Sequence, residues 1–496
     1  MLLNPLSFVE EQDAAWFAAN IPFFECPDES LQKVYYFRWQ VFKKHIRETP
    51  DGYVITEFLP PVPWAGKYNT ISCASGHHFY EGRWLHNQQY LDDYALFWFR
   101  KGGEPRKYSF WAADSLYARY LVTGDSRLLL ELLPDLISNY EAWEAEKKDD
   151  NGLFWQYDGY DGMEFSIGGS GYRPTINSYM YGDARAIAKT AALARSNDVA
   201  HRYLLKARIL KELVQQLLWD SEAQFFKVRL NRQGLAYTHN LPESWVRQME
   251  GDQLEEGQLA DVCELIGYVP WYFLLPDEGY EAAWKYIKEP LYFAAPFGPA
   301  TAEQGHRFYG LKDSHECLWN GPSWPFATSQ TLTAMANLIH NYEKSVITIE
   351  DYYNLLRMYA NSHQIRLEDG KAVMWIDENL DPCTGEWIAR KILHKRNDPN
   401  KDRGRDYNHS SYCDLIISGL IGIKPRNDHY LDIRPLIPAS LWDYFCLENV
   451  PYHNRKITIL YDRTGTRYGR GTGLRIYVND IEKACFPDIQ KVLIPI

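Results

Sequence analysis

Ten stretches of helical character, joined by Gly- and Pro-containing connections with no strand signal between them, set the first limit on the fold. They run over 86–101, 108–122, 126–147, 177–195, 199–218, 258–274, 279–287, 324–343, 349–362 and 409–421. In 199–218, Leu210, Leu213, Val214 and Leu217 fall at i, i+3, i+4 and i+7, one face of an amphipathic helix. A doubly wound sheet or a TIM barrel needs strand-helix alternation, so both are disfavoured and the chain is mainly α. Upstream, an aromatic helix over Leu31 to His45 and an apolar stretch, Tyr53 to Leu59, end at Pro60-Pro61-Val62-Pro63. Beyond Pro425 the pattern changes to short β-branched and aromatic runs at 430–433, 456–461 and 474–478, which predict a small β domain. The expected division is a lead-in over 1–82, a helical body over 83–424 and a β domain over 425–496.

At 496 residues the chain can bury a large core. Its net charge of −12 and the lack of a basic block interleaved with aromatics argue against a nucleic-acid partner. No apolar run reaches the ~18 residues that a membrane span needs. The start lacks the basic and apolar segments of a signal peptide, so a cytoplasmic location is expected. Eight cysteines are scattered without a CxxC pair, as buried thiols in a reducing compartment would be. Adjacent His77 and His78 point apart on a regular element and seldom share an ion; neither metal nor cofactor is expected. Aromatic residues make up 15% of the chain, a supply that serves both core packing and stacking on sugar faces.

Two irregular segments carry the chemistry. One is Gly162-Met163-Glu164-Phe165-Ser166, followed by Arg173-Pro174-Thr175-Ile176-Asn177. The other is Glu378-Asn379-Leu380-Asp381-Pro382-Cys383-Thr384-Gly385. Two loop-borne carboxyls are what glycosidic hydrolysis by paired acid and base requires. Glu164 lies among apolar and aromatic neighbours, which suit a protonated acid, and Glu378 has the more polar setting of a base. Asp161 is the rival acid and loop-borne Glu303 a secondary base. Arg83 and Trp84 are candidates to hold sugar hydroxyls, with a plain ion pair the competing reading for Arg83. Arg173 is a candidate to bind substrate or orient the acid. Trp155, Trp319 and Trp324 are candidate stacking rings, and Tyr157 accompanies Trp155.

These motifs resemble those of trehalases, mannosylglycerate hydrolases and glucosidase-I-like enzymes. Gly162 to Ser166 is similar to their Gly-Trp-Asp-Phe-Ser or Gly-Met-Asp-Asn-Ser segment, where the acid is the general acid. Glu378 to Gly385 is similar to their Glu-Asn-Tyr-Asn-Pro-Leu-Thr-Gly segment, which bears the general base. Trp319-Asn320-Gly321-Pro322-Ser323-Trp324 resembles their Trp-Arg-Gly-Pro-Ile-Trp loop, and Pro174 to Tyr181 their Asp-Leu-Asn-Ala-Tyr stretch, implying a sugar contact for Asn177. The resemblance implies an (α/α)6 barrel and an inverting exo-glycosidase acting on a small α-linked saccharide or glycoside. The sequence departs from the pattern in having Glu164 for Asp and Asn320 for Arg. The C-terminal domain also resembles tails of α-L-rhamnosidases and disaccharide phosphorylases. A phosphorylase and a non-catalytic sugar-binding protein are therefore the competing functions. The expected partner is a small carbohydrate, with a homo-oligomer compatible.

Overall fold

The computed structural model describes residues 2–236, 255–310, 315–367 and 369–496. Helices dominate up to residue 395, and their ends have local causes. Asp28 caps the Glu29–His45 helix by accepting from the backbone of Ser30 and Leu31, and Lys43, Lys44 and His45 occupy its last turn. Ala112–Thr123 stops at Gly124 in the left-handed region, φ 71°. A capping box of Thr348 and Asp351 opens Ile349–Asn361. Pro174–Leu193 begins on its proline and packs against Asn197–Leu217 as an antiparallel pair.

Several expected helices differ. The stretch at 126–147 divides into Arg127–Glu131 and Leu133–Lys147, with Pro134 in the second helix's first turn. The one expected at 258–274 shrinks to two short turns, Leu265–Tyr268 and Val269–Tyr272, because Pro270 fits only a helix start. The next, at 279–287, is a 3-10 helix, Glu281–Lys288. At 409–421 the helix shrinks to 413–420, most of it the π-helix Leu415–Leu420. Among the described residues, the further helices Glu11–Asn20, Ser75–Gly82, Arg232–Ala236 and Ile388–Lys395 lack a long apolar stripe to announce them.

The C-terminal segment forms an antiparallel sheet through Tyr444–Tyr452, Arg455–Asp462, Gly473–Val478 and Ile481–Phe486. Two-residue turns at His453-Asn454 and Asn479-Asp480 have φ positive at both positions, which joins twisted strands without splaying them. The edge strand comes from the other end of the chain: Phe23–Glu25 pairs with Tyr444–Tyr452, placing Phe23 opposite Glu448. Trp442 meets both Phe24 and Tyr353 of the Ile349–Asn361 helix, so sheet and helices share one continuous core. Trp39, Trp84, Trp98, Trp111, Trp143, Trp271 and Trp284 are fully buried within it. Among the described residues no helix is long and apolar enough to cross a membrane.

Candidate active site

The loop bearing Glu164 is held from below by a buried charge network. Its turn closes at Gly162, φ 72°, and Met163 donates to the Asp158 carbonyl at 2.9 Å. Asp158 also takes the Gly159 N–H at 2.9 Å and the Ser170 hydroxyl at 3.1 Å. Arg173 pairs with Asp161 at 2.7 Å, both side chains fully buried, and donates to Ser166 Oγ at 3.1 Å and to the Gly169 carbonyl. Thr175 gives Asp161 a second hydrogen bond. Asp161 and Arg173 thus meet each other beneath the loop. Asn177, also fully buried, exchanges bonds of 2.8 and 2.7 Å with the Phe154 backbone and donates to the Arg173 carbonyl at 2.9 Å. Its amide is spent on the backbone, so it positions the loop's base and has no free edge for sugar.

Glu164 itself is part-buried. Cys317 Sγ donates to its Oε2 at 3.0 Å, and Trp319 N–H donates to its backbone carbonyl at 3.0 Å. Burial pushes the carboxyl up to about 7, the Cys317 bond opposes this, and the charges of Asp158 and Glu378 add to it. Just below neutrality it therefore holds a proton to give.

The second loop is anchored differently. Leu380 exchanges backbone bonds of 2.9 and 2.8 Å with Ser323. Asp381 gathers the N–H groups of Cys383 and Thr384, and Gly385 completes the turn at φ 75°. Glu378 is 2% exposed and accepts from Arg403 Nε at 2.8 Å. The same guanidinium reaches Glu316 at 2.8 Å. Burial raises the Glu378 carboxyl above its ordinary value although Arg403 opposes the shift, and burial pushes adjacent Asp377 up to about 7. Burial raises both carboxyls, and they differ in their nearest partner, a thiol at Glu164 and a guanidinium at Glu378.

The other sequence candidates fall in separate places. Trp319 and Trp324 are each 2% exposed and stack on one another at 4.7 Å, beneath the acid loop. Trp155 and Tyr157 are half-buried beside that loop, with Lys147 Nζ at 3.8 Å from the Trp155 ring centre and 4.9 Å from the Tyr157 ring centre. Arg83 and Trp84 both bind Asp414 Oδ1, at 2.7 Å each, and Arg83 lines a cavity with Tyr272 and Lys424. Glu303 accepts from the Cys263 N–H at 2.9 Å. The hydrogen-bond partners of Arg83 and Glu303 thus lie away from Glu164 and Glu378. Among the described residues no group of three His, Cys, Asp or Glu could hold a metal ion.

The structure adds residues that the motifs did not name: Cys317, Glu316, Arg403 and, from the lead-in, Glu57. Glu57 is 3% exposed and takes hydrogen bonds from Tyr407 Oη and, at 3.4 Å, from Cys73 Sγ. A single acid inside the apolar run Tyr53 to Leu59 was its only sequence signal. Arg403, in a charged polar run, gave none.

With this geometry in view, residues 67–410 match the mannosylglycerate hydrolase MGH1-like glycoside hydrolase domain. The chain belongs to that family. Among solved structures, one described as a sialidase is 41% identical over 97% of this chain, with a TM-score of 0.86. A GH78 rhamnosidase of Bacillus sp. GL1 (12% identity, TM-score 0.57) and an α-L-rhamnosidase of Streptomyces avermitilis (15%, 0.52) each cover 93% of this chain and share the fold. This chain spans 42%, 42% and 38% of the lengths of these three proteins. The family model matched is that of a glycoside hydrolase domain.

Proposed function

We propose that this MGH1-like chain is an inverting glycosidase in which Glu164 is the general acid and Glu378 the general base. The observation that carries this reading is the contrast between the two carboxyls: a thiol faces one and a guanidinium faces the other. Glu164 protonates the departing glycosidic oxygen. Glu378, paired with Arg403, takes a proton from water as that water attacks the anomeric carbon from the opposite face. The helices close into an (α/α)6 barrel with both loops at one end, and Trp155 and Tyr157 form an aromatic rim for the sugar. The substrate is a small α-linked saccharide or glycoside.

The test is incubation with α- and β-linked disaccharides and aryl glycosides of glucose, mannose and rhamnose, with the first anomer released followed by NMR. The expected result is release of the inverted anomer by the wild type and its loss in both Glu164→Gln and Glu378→Gln. Release that depends on added phosphate would favour a phosphorylase instead.

A further inference from the structure

Two helices that begin beside the acid loop run away from it to a separate cavity. Ser75–Gly82 follows Cys73, whose Sγ lies 3.5 Å from where a Cβ on Gly162 would sit, and it ends at Arg83. Pro174–Leu193 starts at Arg173, beneath the same loop, and carries Arg185 and Lys189 further along. At ~1.5 Å per residue these three cations stand about 12–22 Å along the axes from the loop end. The cavity, about 170 Å³, is walled by Tyr80, Arg83, Asp114, Tyr117, Arg185 and Lys189.

Its charge is one-sided. Three cations face one acid, in a chain whose net charge is −12. Asp114 accepts from the Tyr80 hydroxyl at 2.5 Å, and among the described residues none of the three cations is ion-paired with it. Arg83 is 5% exposed; its Nε and Nη2 are committed to Asp414 and Ser418, which leaves Nη1 without a hydrogen bond among the described residues. Half-buried Arg185 gives Nη1 to the Phe273 carbonyl at 2.8 Å, and among the described residues its Nε and Nη2 have no acceptor. Lys189, the exposed one, holds Nζ 5.1 Å from the Tyr117 ring centre and has no acid partner among the described residues.

This arrangement works against the fold. Arg185 and Lys189 stand at i and i+4 on one helix, where like charges repel. Burial, and after it the Arg185 charge, lower Lys189 below its ordinary value. Packing alone is met at less cost by uncharged side chains. An anion in the cavity removes the conflict. Three cations less one acid leave two positive charges, which a phosphate dianion balances. Its oxygens also suit the free donors, since guanidinium groups match phosphate edges.

We propose that this cavity is a binding site for a phosphate dianion, either inorganic phosphate or the phosphate of a small monoester, set apart from Glu164 and Glu378. The inference does not depend on the glycosidase reading. Phosphate held here is bound and not consumed, unlike the phosphate of a phosphorylase.

Calorimetric titration of the full chain at pH 7.5, where phosphate is mainly the dianion, tests it. The probes are inorganic phosphate and D-glucose 6-phosphate, with D-glucose as the neutral control. At least one phosphate probe is expected to bind saturably with a Kd of about 1 mM or below. Arg185→Gln should weaken that binding about tenfold, the scale of one hydrogen bond from a charged group. Lys189→Gln, at the exposed edge, should weaken it about threefold. Circular dichroism checks that both variants are folded, and phosphate should raise the Tm of the wild type more than that of either variant. Tighter binding of inorganic phosphate would support the free ion as ligand, and tighter binding of the ester the monoester. No saturable binding of either probe up to about 20 mM would overturn the proposal. Equal affinity in the wild type and in folded Arg185→Gln would place the phosphate elsewhere and overturn it as well.

Discussion

Among the described residues, the Glu164 carboxyl takes one side-chain hydrogen bond, from the Cys317 thiol. The bond favours the ionised form, so Cys317→Ala should hold the proton to higher pH. The alkaline limb of kcat/KM, which falls as pH rises through about 7, is expected to move up by about half a pH unit in that variant. A pH profile of kcat/KM checks the shift. The acid limb belongs to Glu378, whose bond to Arg403 resists protonation. Arg403→Gln should therefore move that limb upward and lower turnover at pH 5–6, measured in the same profile. Glu164 and Glu378 stand out in the sequence as candidates because each lies in a turn-rich motif of several residues. Arg403 and Glu57 do not, because each joins the site from a distant segment and has no pattern around it. The motif position of Asn177 implies a sugar contact, and its amide bonds the backbone of Phe154 and Arg173, because a motif position does not say which way an amide points.

The acid loop works as an element because the Arg173–Asp161 pair fixes its base. Removing one partner leaves the other charge buried and alone, so Asp161→Asn should destabilise the protein by about 3–5 kcal/mol. Denaturant unfolding measures it. Asp161→Asn should also reduce turnover through a loosened loop, while leaving the pH at which Glu164 titrates nearly in place. In Glu164→Gln the opposite holds: stability is kept and turnover falls by about 10²–10⁴-fold. The long amphipathic helices could be read from apolar spacing, as at Leu210 to Leu217, and the C-terminal strands from β-branched runs. The 258–274 stretch misled because its apolar residues face a core without helical repeat, and Pro270 restricts it to short turns. The strand Phe23–Glu25 is three residues long and exists only through its pairing with a segment over 400 residues away.

Across the whole molecule, sheet and helices lie on one core, and the buried acids make its stability depend on pH. Glu57 is held at about 8 against an ordinary 4.5, and Asp377 at about 7 against 3.8. The native state keeps protons that the unfolded chain has released, so stability is greatest below those ordinary values and declines as pH rises towards 8. Each such group costs about 1.4 kcal/mol per pH unit within its window. Glu57→Gln should therefore flatten the fall in Tm between pH 5 and pH 8, as read by calorimetry. The central claim is the division of labour between Glu164 and Glu378, and leaving-group dependence tests it most directly. A dinitrophenyl glycoside of the preferred sugar departs without help from an acid, whereas its alkyl counterpart does not. Glu164→Gln is expected to hydrolyse the dinitrophenyl glycoside at close to the wild-type rate and to fail on the alkyl one. Glu378→Gln should fail on both. Equal loss on both substrates in Glu164→Gln, or dinitrophenyl turnover retained by Glu378→Gln, would contradict the assignment.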